Sequence, residues 1–409
     1  MLIAALLAAM IAVYLLQYFL YRRHSFDGIR YDVTLSAAEV FEGEDIFLTE
    51  EIVNGAALPL PFVKVDTSLP DGLRYRLIDE ERDGSRTGRF VSSVQSIFVL
   101  RPHEKIRRTW RVNCQTRGDY TVGCVMIVTN DLIGFNQCAR QINVPRSAHN
   151  RIIVLPRTIR LEREFTSSRY LSGDITVHRS VVSDPLRPCG VREYTPLDPM
   201  NRIHWKSTAA HGTLMVNIEE FTQRHRFNLV LNMNSRDIER VPGPPSIPSY
   251  IEPCVTVAAS ILEAVADENI AVRLIANTVP PEADPALSAA VSDSDEIGRD
   301  IFVSSPLAGR SDMLGALRLL ASLPLHITVS VEKMLDHILL HPYCYAAGGN
   351  LIFISAYLSE RMIHFARAMR QNGCEVLFYI TGSTDNTPFI PEDISVCFRI
   401  AASAAGGAA

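Results

Sequence analysis

The period of hydrophobic and polar positions changes twice along the chain. Residues 1–20 carry no charged side chain, and Gln17 is their one strongly polar residue. A helix of that length, at about 1.5 Å per residue, spans about 30 Å, one hydrocarbon thickness. Arg22, Arg23 and His24 follow immediately, and no basic side chain precedes the run. By the positive-inside rule, that asymmetry places everything after residue 24 on the cytoplasmic side. A cleaved signal peptide would open on a basic region, which the run lacks. Residues 1–24 are therefore read as a single-pass anchor, with Tyr14, Tyr18 and Tyr21 in an interfacial belt.

Short alternating runs then take over, such as Tyr31-Asp32-Val33-Thr34-Leu35 and Phe62-Val63-Lys64-Val65, broken by Pro59, Pro61, Pro70-Asp71-Gly72 and Asp83-Gly84-Ser85. Period two with turn clusters predicts an all-β sandwich of immunoglobulin type over residues 29–145. Residues 146–189 are read as a connecting strand near 152–156 and then a polar linker. Its Arg157, Arg160, Arg163, Arg169, His178, Arg179 and Arg187 are solvated, with anionic lipid as the alternative contact.

Beyond residue 222 apolar runs alternate with helical periodicity, which predicts an α/β domain with a mostly parallel sheet over 222–400. Strands are expected at 227–231, 270–276, 351–355, 375–380 and 394–400, and helices at 253–267, 313–321 and 360–371. Residues 277–312, rich in Pro, Ala, Ser and acids, are read as a mobile insertion. Residues 401–409 are read as a disordered tail.

Between linker and α/β domain lies the densest chemistry, over residues 190–221. Arg192, Glu193, Asp198, Arg202, His204 and Lys206 crowd together with Tyr194 and Trp205. Asp198-Pro199 has the form of a helix start, and Gly212 of a helix stop. Arg202 and Lys206, four apart, share one face of such a helix, and Trp205 turns toward the core. Leu214, Val216 and Ile218 then alternate as a half-buried strand. The cluster fits either an interlocked ion-pair knot or a surface for a partner.

This segment resembles the signature of the bacterial domain-of-unknown-function-58 family, at Arg192-Glu193-Tyr194, Pro196, Asp198, Arg202-Ile203, Trp205-Lys206, Ala209, Gly212, Leu214 and Val216. Leu197 and Ala210 depart from it, where glycine and arginine are usual. Further echoes are Arg117-Gly118-Asp119-Tyr120 with Gly123, and Asp131-Leu132-Ile133-Gly134-Phe135. The resemblance implies membrane-anchored proteins carrying a von Willebrand A-like domain, commonly linked with MoxR-type AAA+ ATPases. It also implies a metal site at the carboxyl ends of the strands, built on D-x-S-x-S. This chain instead has Asn232, Asn234 and Arg236, with Ala356 where a later aspartate would stand, which removes most of the attraction for a cation.

Other chemistry is sparse. His337 and His341 lie four apart with Asp336 beside them, a ligand-pair spacing without an evident third ligand. The net charge of −5 gives no reason to expect nucleic acid, although Arg202–Lys206 alternates basic and aromatic residues. The eight cysteines form no C-x-x-C pair and are read as buried free thiols. Arg117-Gly118-Asp119 is read as a turn, not an adhesion motif. The expectation is a noncatalytic scaffold in the bacterial inner membrane, without cofactor, that binds a MoxR-type AAA+ ATPase in chaperone-like assembly or envelope maintenance. The alternatives are an enzyme whose site is assembled around residues 192–206, or an adhesion-like binder if the topology is reversed.

Overall fold

The structure, a computed structural model, describes residues 2–80, 86–134, 137–159, 183–195, 200, 203–221, 226–235, 246–267, 270–280, 296–341, 350–382 and 395–398. The chain is multidomain and rich in sheet. It divides into two compact units, Met1–Arg157 with Leu317–Leu323, and Thr158–Ala316 with Pro324–Ala409.

The first unit opens with helix α1 (Leu2–His24). Twelve strands follow: β1 (Ile29–Leu35), β2 (Glu39–Phe41), β3 (Asp45–Asn54), β4 (Leu60–Ser68), β5 (Leu73–Glu80), β6 (Arg86–Val91), β7 (Ser93–Leu100), β8 (Lys105–Cys114), β9 (Gly118–Thr121), β10 (Cys124–Asn130), β11 (Gln137–Asn143) and β12 (Arg151–Leu155). They form sheets of order β1-β3-β8-β5-β6 and β11-β10-β4-β7, with a small third sheet β2-β12-β9. The two larger sheets contribute to one apolar core, including Leu48, Ile52, Tyr75 and Val112 from one and Val63, Val65, Leu100 and Ile127 from the other. The strand expected as a connector, β12, instead lies parallel to β2 and antiparallel to β9. It belongs to the sandwich because Ile152 and Val154 are fully buried there, so the boundary moves from 145 to 157.

Two features of this unit depart from simple alternation. Along β3, Ile46, Leu48 and Ile52 point inward, and Glu50 takes the inward position between them, fully buried. Its carboxylate accepts from the Tyr31 hydroxyl (2.9 Å), Arg108 Nη2 (2.8 Å) and Trp110 Nε1 (2.9 Å). The Arg108 guanidinium lies over the Phe98 and Trp110 rings, at 5.2 and 5.6 Å from their centroids. A buried charge is tolerated only when paired and hydrogen-bonded in this way. Burial beside this carboxylate also raises the Tyr31 phenol pKa above its ordinary value.

The Arg117-Gly118-Asp119 tripeptide is built inward too, rather than displayed in a turn. Arg117 is buried and donates to the carbonyls of Leu320 (2.6 Å) and Leu323 (3.0 Å). Asp119 pairs with Arg146 and Arg151. Tyr120 folds back so that its hydroxyl donates to the Arg117 carbonyl (3.0 Å). Gly72, at φ +101°, leaves room for that ring, since a Cβ there would stand 2.2 Å from the Tyr120 hydroxyl.

In the second unit, β13 (Ser183–Glu193) pairs antiparallel with β14 (Met215–Phe221), and α2 (Trp205–His211) lies between them in sequence. The larger sheet is built from β15 (Arg226–Leu231), β16 (Ala271–Ala276), β17 (Phe302–Val303), β18 (Asn350–Ser355), β19 (Val376–Ile380) and β20 (Ser395–Phe398). Its order is β17-β16-β15-β18-β19-β20, parallel throughout except for β17. Leu229, Val230 and Leu231, and every residue of β19, are buried, as in a sheet covered on both faces. Its helices are α3 (Pro248–Asp267), α4 (Glu296–Arg299), α5 (Gly309–Ser322, of which residues 317–322 belong to the first unit), α6 (Val331–Leu340) and α7 (Glu360–Gln371).

Part of the expected mobile insertion is ordered: α4, β17 and the start of α5 fall within 277–312, and Ile301, Phe302, Val303 and Leu307 are buried. Four apolar side chains in one polar stretch supplied the core contact that its composition concealed. Helix α3 is long and apolar enough to cross a bilayer, yet more than half of its central stretch is buried within the fold. The rest of the insertion, the linker over 160–182 and the tail over 401–409 lie outside the described residues.

Removing Arg108 would strand the Glu50 carboxylate in the core with neutral donors alone. Arg108→Ala should destabilise the first unit by about 3–5 kcal/mol, measured by urea denaturation of the full chain. Arg107→Ala, which removes only an exposed partner of Glu51, should cost less than about 1 kcal/mol.

Candidate binding face and the closed crevice

Two places carry the chemistry singled out in the sequence. The first is the segment around α2. Its helix begins later than Asp198-Pro199 suggested: His204 is the N-cap, with Nδ1 accepting from the Ser207 backbone N–H at 3.1 Å. Gly212 ends it at φ +72°, in agreement with the expected stop. The helix is fastened to β14 mainly through polar groups. Thr208 Oγ1 accepts from the Met215 N–H (2.9 Å), and the His204 N–H donates to the Met215 carbonyl (2.8 Å). Ile203 forms an isolated bridge with Val216, and both are buried.

That fastening decides where Trp205 points. The expectation placed it in the core, but its residue surface is 69% exposed. Ser207 and Thr208 occupy the covered side of the helix, while Trp205, Lys206, Ala209 and Ala210 are exposed. The inward apolar contacts come from Ile203, Met215 and Val216 instead. Met200 and Leu214 are exposed as well, at 67% and 42%. Leu214 was expected to share an inner face with Val216; the buried neighbours are Met215 and Val216, because Leu214 precedes the strand and its carbonyl accepts from Tyr194 N–H (2.8 Å). Tyr194 is half-buried. Asp198, Arg202 and the side chains of Arg192 and Glu193 lie outside the described residues.

The second place is the carboxyl end of the large sheet. Counted from β15, the strand order is 3-2-1-4-5-6, and it reverses between β15 and β18. Open α/β sheets bind ligands in the crevice at that reversal. Here Asn232, one residue past β15, donates from Nδ2 to Ser355 Oγ at the end of β18 (3.0 Å). Asn232 Oδ1 accepts from the Asn234 N–H (3.0 Å). Asn277, one residue past β16, accepts from the Met233 N–H (2.8 Å) and donates to Asn234 Oδ1 (2.6 Å) and the Val329 carbonyl (3.3 Å). All three asparagines and Ser355 are buried to 1% exposure or less.

These groups satisfy one another, so they do not fit a divalent cation. A hard cation calls for carboxylate oxygens, and the amides present are neutral and already engaged. Ala356 is nearly buried, and its carbonyl would stand 2.0 Å from any Cβ added at Gly382, so backbone closes the space from that side. Arg236 lies outside the described residues. Among the described residues, no group of three or more His, Cys, Asp and Glu could hold a metal. His337 is buried on α6 with its ring 4.8 Å from that of His341.

Sequence reasoning missed Asn277, Ser355 and Thr381. A signal existed: Asn232, Asn277 and Thr381 are each the first polar residue after an apolar strand. Thr381 Oγ1 lies 3.1 Å from Cys254 Sγ, and burial pushes that thiol up to about 12. The cysteines are not uniformly buried, for Cys124 is exposed on β10, where outward positions alternate with core ones.

No family model and no curated protein matches the chain. Parts of it are similar to solved structures of low identity. One is the sporulation control protein Spo0M of Bacillus subtilis, at 17% identity and TM-score 0.17 over 31% of this chain and 49% of that one. A second is alpha-2-macroglobulin of Escherichia coli, from domain MG7 to the C-terminus, at 13% identity and TM-score 0.22 over 32% and 24%. A third is a CARDB domain from Pyrococcus furiosus, at 12% identity and TM-score 0.18 over 32% and 96%. The chain thus spans about half the length of the first and a quarter of the second.

Asn277→Ala would unpair several buried groups at once, each worth about 1–3 kcal/mol. The variant should unfold at visibly lower urea than wild type, whereas millimolar Mg²⁺ should leave the wild-type melting temperature unchanged, since a ligand of the native state alone must raise it. At pH 8 the Cys254 thiol stays protonated, so mass spectrometry should find Cys124 alkylated in the native protein and Cys254 only after unfolding.

Proposed function

We propose that the chain is a noncatalytic, membrane-tethered scaffold of the domain-of-unknown-function-58 type, whose α/β unit is a degenerate von Willebrand A-like domain and whose sandwich is immunoglobulin-like. The observation that carries the binding role is Trp205. A large aromatic ring standing out from a helix fastened by its own hydrogen bonds has no role in holding that helix, and tryptophan in such a setting is the residue type that dominates protein interfaces. Lys206, Met200 and Leu214 are exposed in the same segment and add charge and apolar area. The partner this reading assigns is a MoxR-type AAA+ ATPase, following the resemblance of the segment.

Support for the A-like reading comes from the strand order with its one antiparallel member, and from polar residues standing after β15 and β16 and at the end of β18. Support for the anchor comes from α1. Ile3, Leu6, Leu7, Met10, Val13, Leu16 and Phe19 are all more than half exposed, an apolar surface water would not favour. Arg22 and Arg23 in its last turn support a cytoplasmic side of an inner membrane for the sandwich, by the positive-inside rule.

Co-purification from detergent-solubilised membranes, followed by mass spectrometry, tests the partner. The wild type should retain an AAA+ ATPase. Trp205→Ala should weaken that association by about 2 kcal/mol, roughly thirtyfold, with the melting curve unchanged. Lys206→Glu should weaken it less and reduce its dependence on salt. If Trp205→Ala lowers the melting temperature instead, the ring is structural and the binding face lies elsewhere. Digestion of the sandwich by protease added to intact spheroplasts would reverse the topology.

A further inference from the structure

The end of α1 is built into the sandwich, and the neighbouring turn carries apolar side chains with no place in the core. Tyr21 is 3% exposed and belongs to the sandwich core, so it is not part of an interfacial belt. Its hydroxyl donates to the Pro59 carbonyl at 2.7 Å. Phe26 packs against the same core, under the Arg140 guanidinium at 5.3 Å. Backbone bonds from Ser25 to Tyr21, from Ile29 to Phe26 and from Gly55 to Gly28 close the connection to β1.

Pro59 immediately precedes β4, and β4 pairs with β10 so that Val63 faces Thr129. Strand β10 ends at Asn130, so the turn that follows lies at the Pro59 end of the sheet, where α1 enters. Asp131, the first residue of that turn, is buried. Asp131 Oδ1 accepts from the Gly134 N–H (2.6 Å), and Gly134 sits at φ +86°. The turn is therefore fixed by its own polar ends, which leaves Leu132 and Ile133 projecting, at 58% and 52% exposure.

We propose that Leu132 and Ile133 insert into the bilayer interface beside the cytoplasmic end of α1, as a second membrane contact of the sandwich. This rests on the reading of α1 as a membrane anchor. Two exposed aliphatic side chains at a rigid turn, next to the point where an apolar helix meets Arg22, Arg23 and Arg140, fit the boundary between acyl chains and anionic headgroups. The occupant is lipid.

Tryptophan scanning of the full chain in phosphatidylcholine–phosphatidylglycerol vesicles with brominated acyl chains tests it, after subtraction of wild-type emission. Ile133→Trp should emit to the blue of an exposed indole and lose intensity in brominated lipid. Leu16→Trp, within α1, reports on the anchor. A red, unquenched Ile133→Trp beside a quenched Leu16→Trp would overturn the second contact and leave the anchor standing. An unquenched Leu16→Trp would overturn both. Phe47→Trp, on an exposed position of β3, should remain unquenched; quenching there as strongly as at Ile133 would mean nonspecific adsorption and would also overturn the proposal.

Discussion

The amide lattice at the carboxyl end of the large sheet is the constraint around which the second unit is arranged. Asn277 alone joins the loop after β15, its own position after β16, and the segment ahead of α6. An amide can do this because it presents a donor and an acceptor on one planar group. A carboxylate in the same place could only accept, and several together would need a cation to offset their repulsion. Amides at Asn232, Asn234 and Asn277 remove that need and make closure of the crevice independent of any ion. Among the described residues at that end, the amides and Ser355 are spent on one another, whereas Trp205 is exposed.

The first unit solves a related problem with charge. Glu50 sits on the inner face of β3, opposite Arg108 on β8. The pair contributes less net stability than apolar residues of equal volume could, but each member makes the other indispensable. It also fixes register, since sliding β8 by one residue would bring Arg107 or Thr109 opposite Glu50 and turn Arg108 away.

Period two and the long parallel-type runs carried most of the architecture, because burial on one or both faces of a sheet leaves a direct trace in composition. The boundary at β12 was misplaced because Ile152 and Val154 alternate no differently in a connector than in a sheet. Phe302 and Val303 were lost in a polar stretch, since a two-residue strand is shorter than any period. At α2 the right residues were visible and their orientation was not. Seven residues fastened by Thr208 and His204 obey hydrogen bonding before hydrophobic phase, so the largest side chain faces outward. Asn232 and Asn234 stood out in the sequence and Asn277 did not; their convergence is a property of strand order, which one-dimensional patterns do not encode.

The chain has two tryptophans, and they occupy different environments, one half-buried and one exposed. Trp110 donates its indole proton to a fully buried carboxylate in the first unit, while Trp205 faces solvent in the second. An indole held against Glu50 and the Tyr75 ring, whose centroid is 6.0 Å away, changes its surroundings completely when the sandwich opens; one already in water changes little. Tryptophan fluorescence of this protein therefore reports mainly on the sandwich. Loss of the α/β unit would pass nearly unseen by that signal and would register in the helical circular dichroism instead.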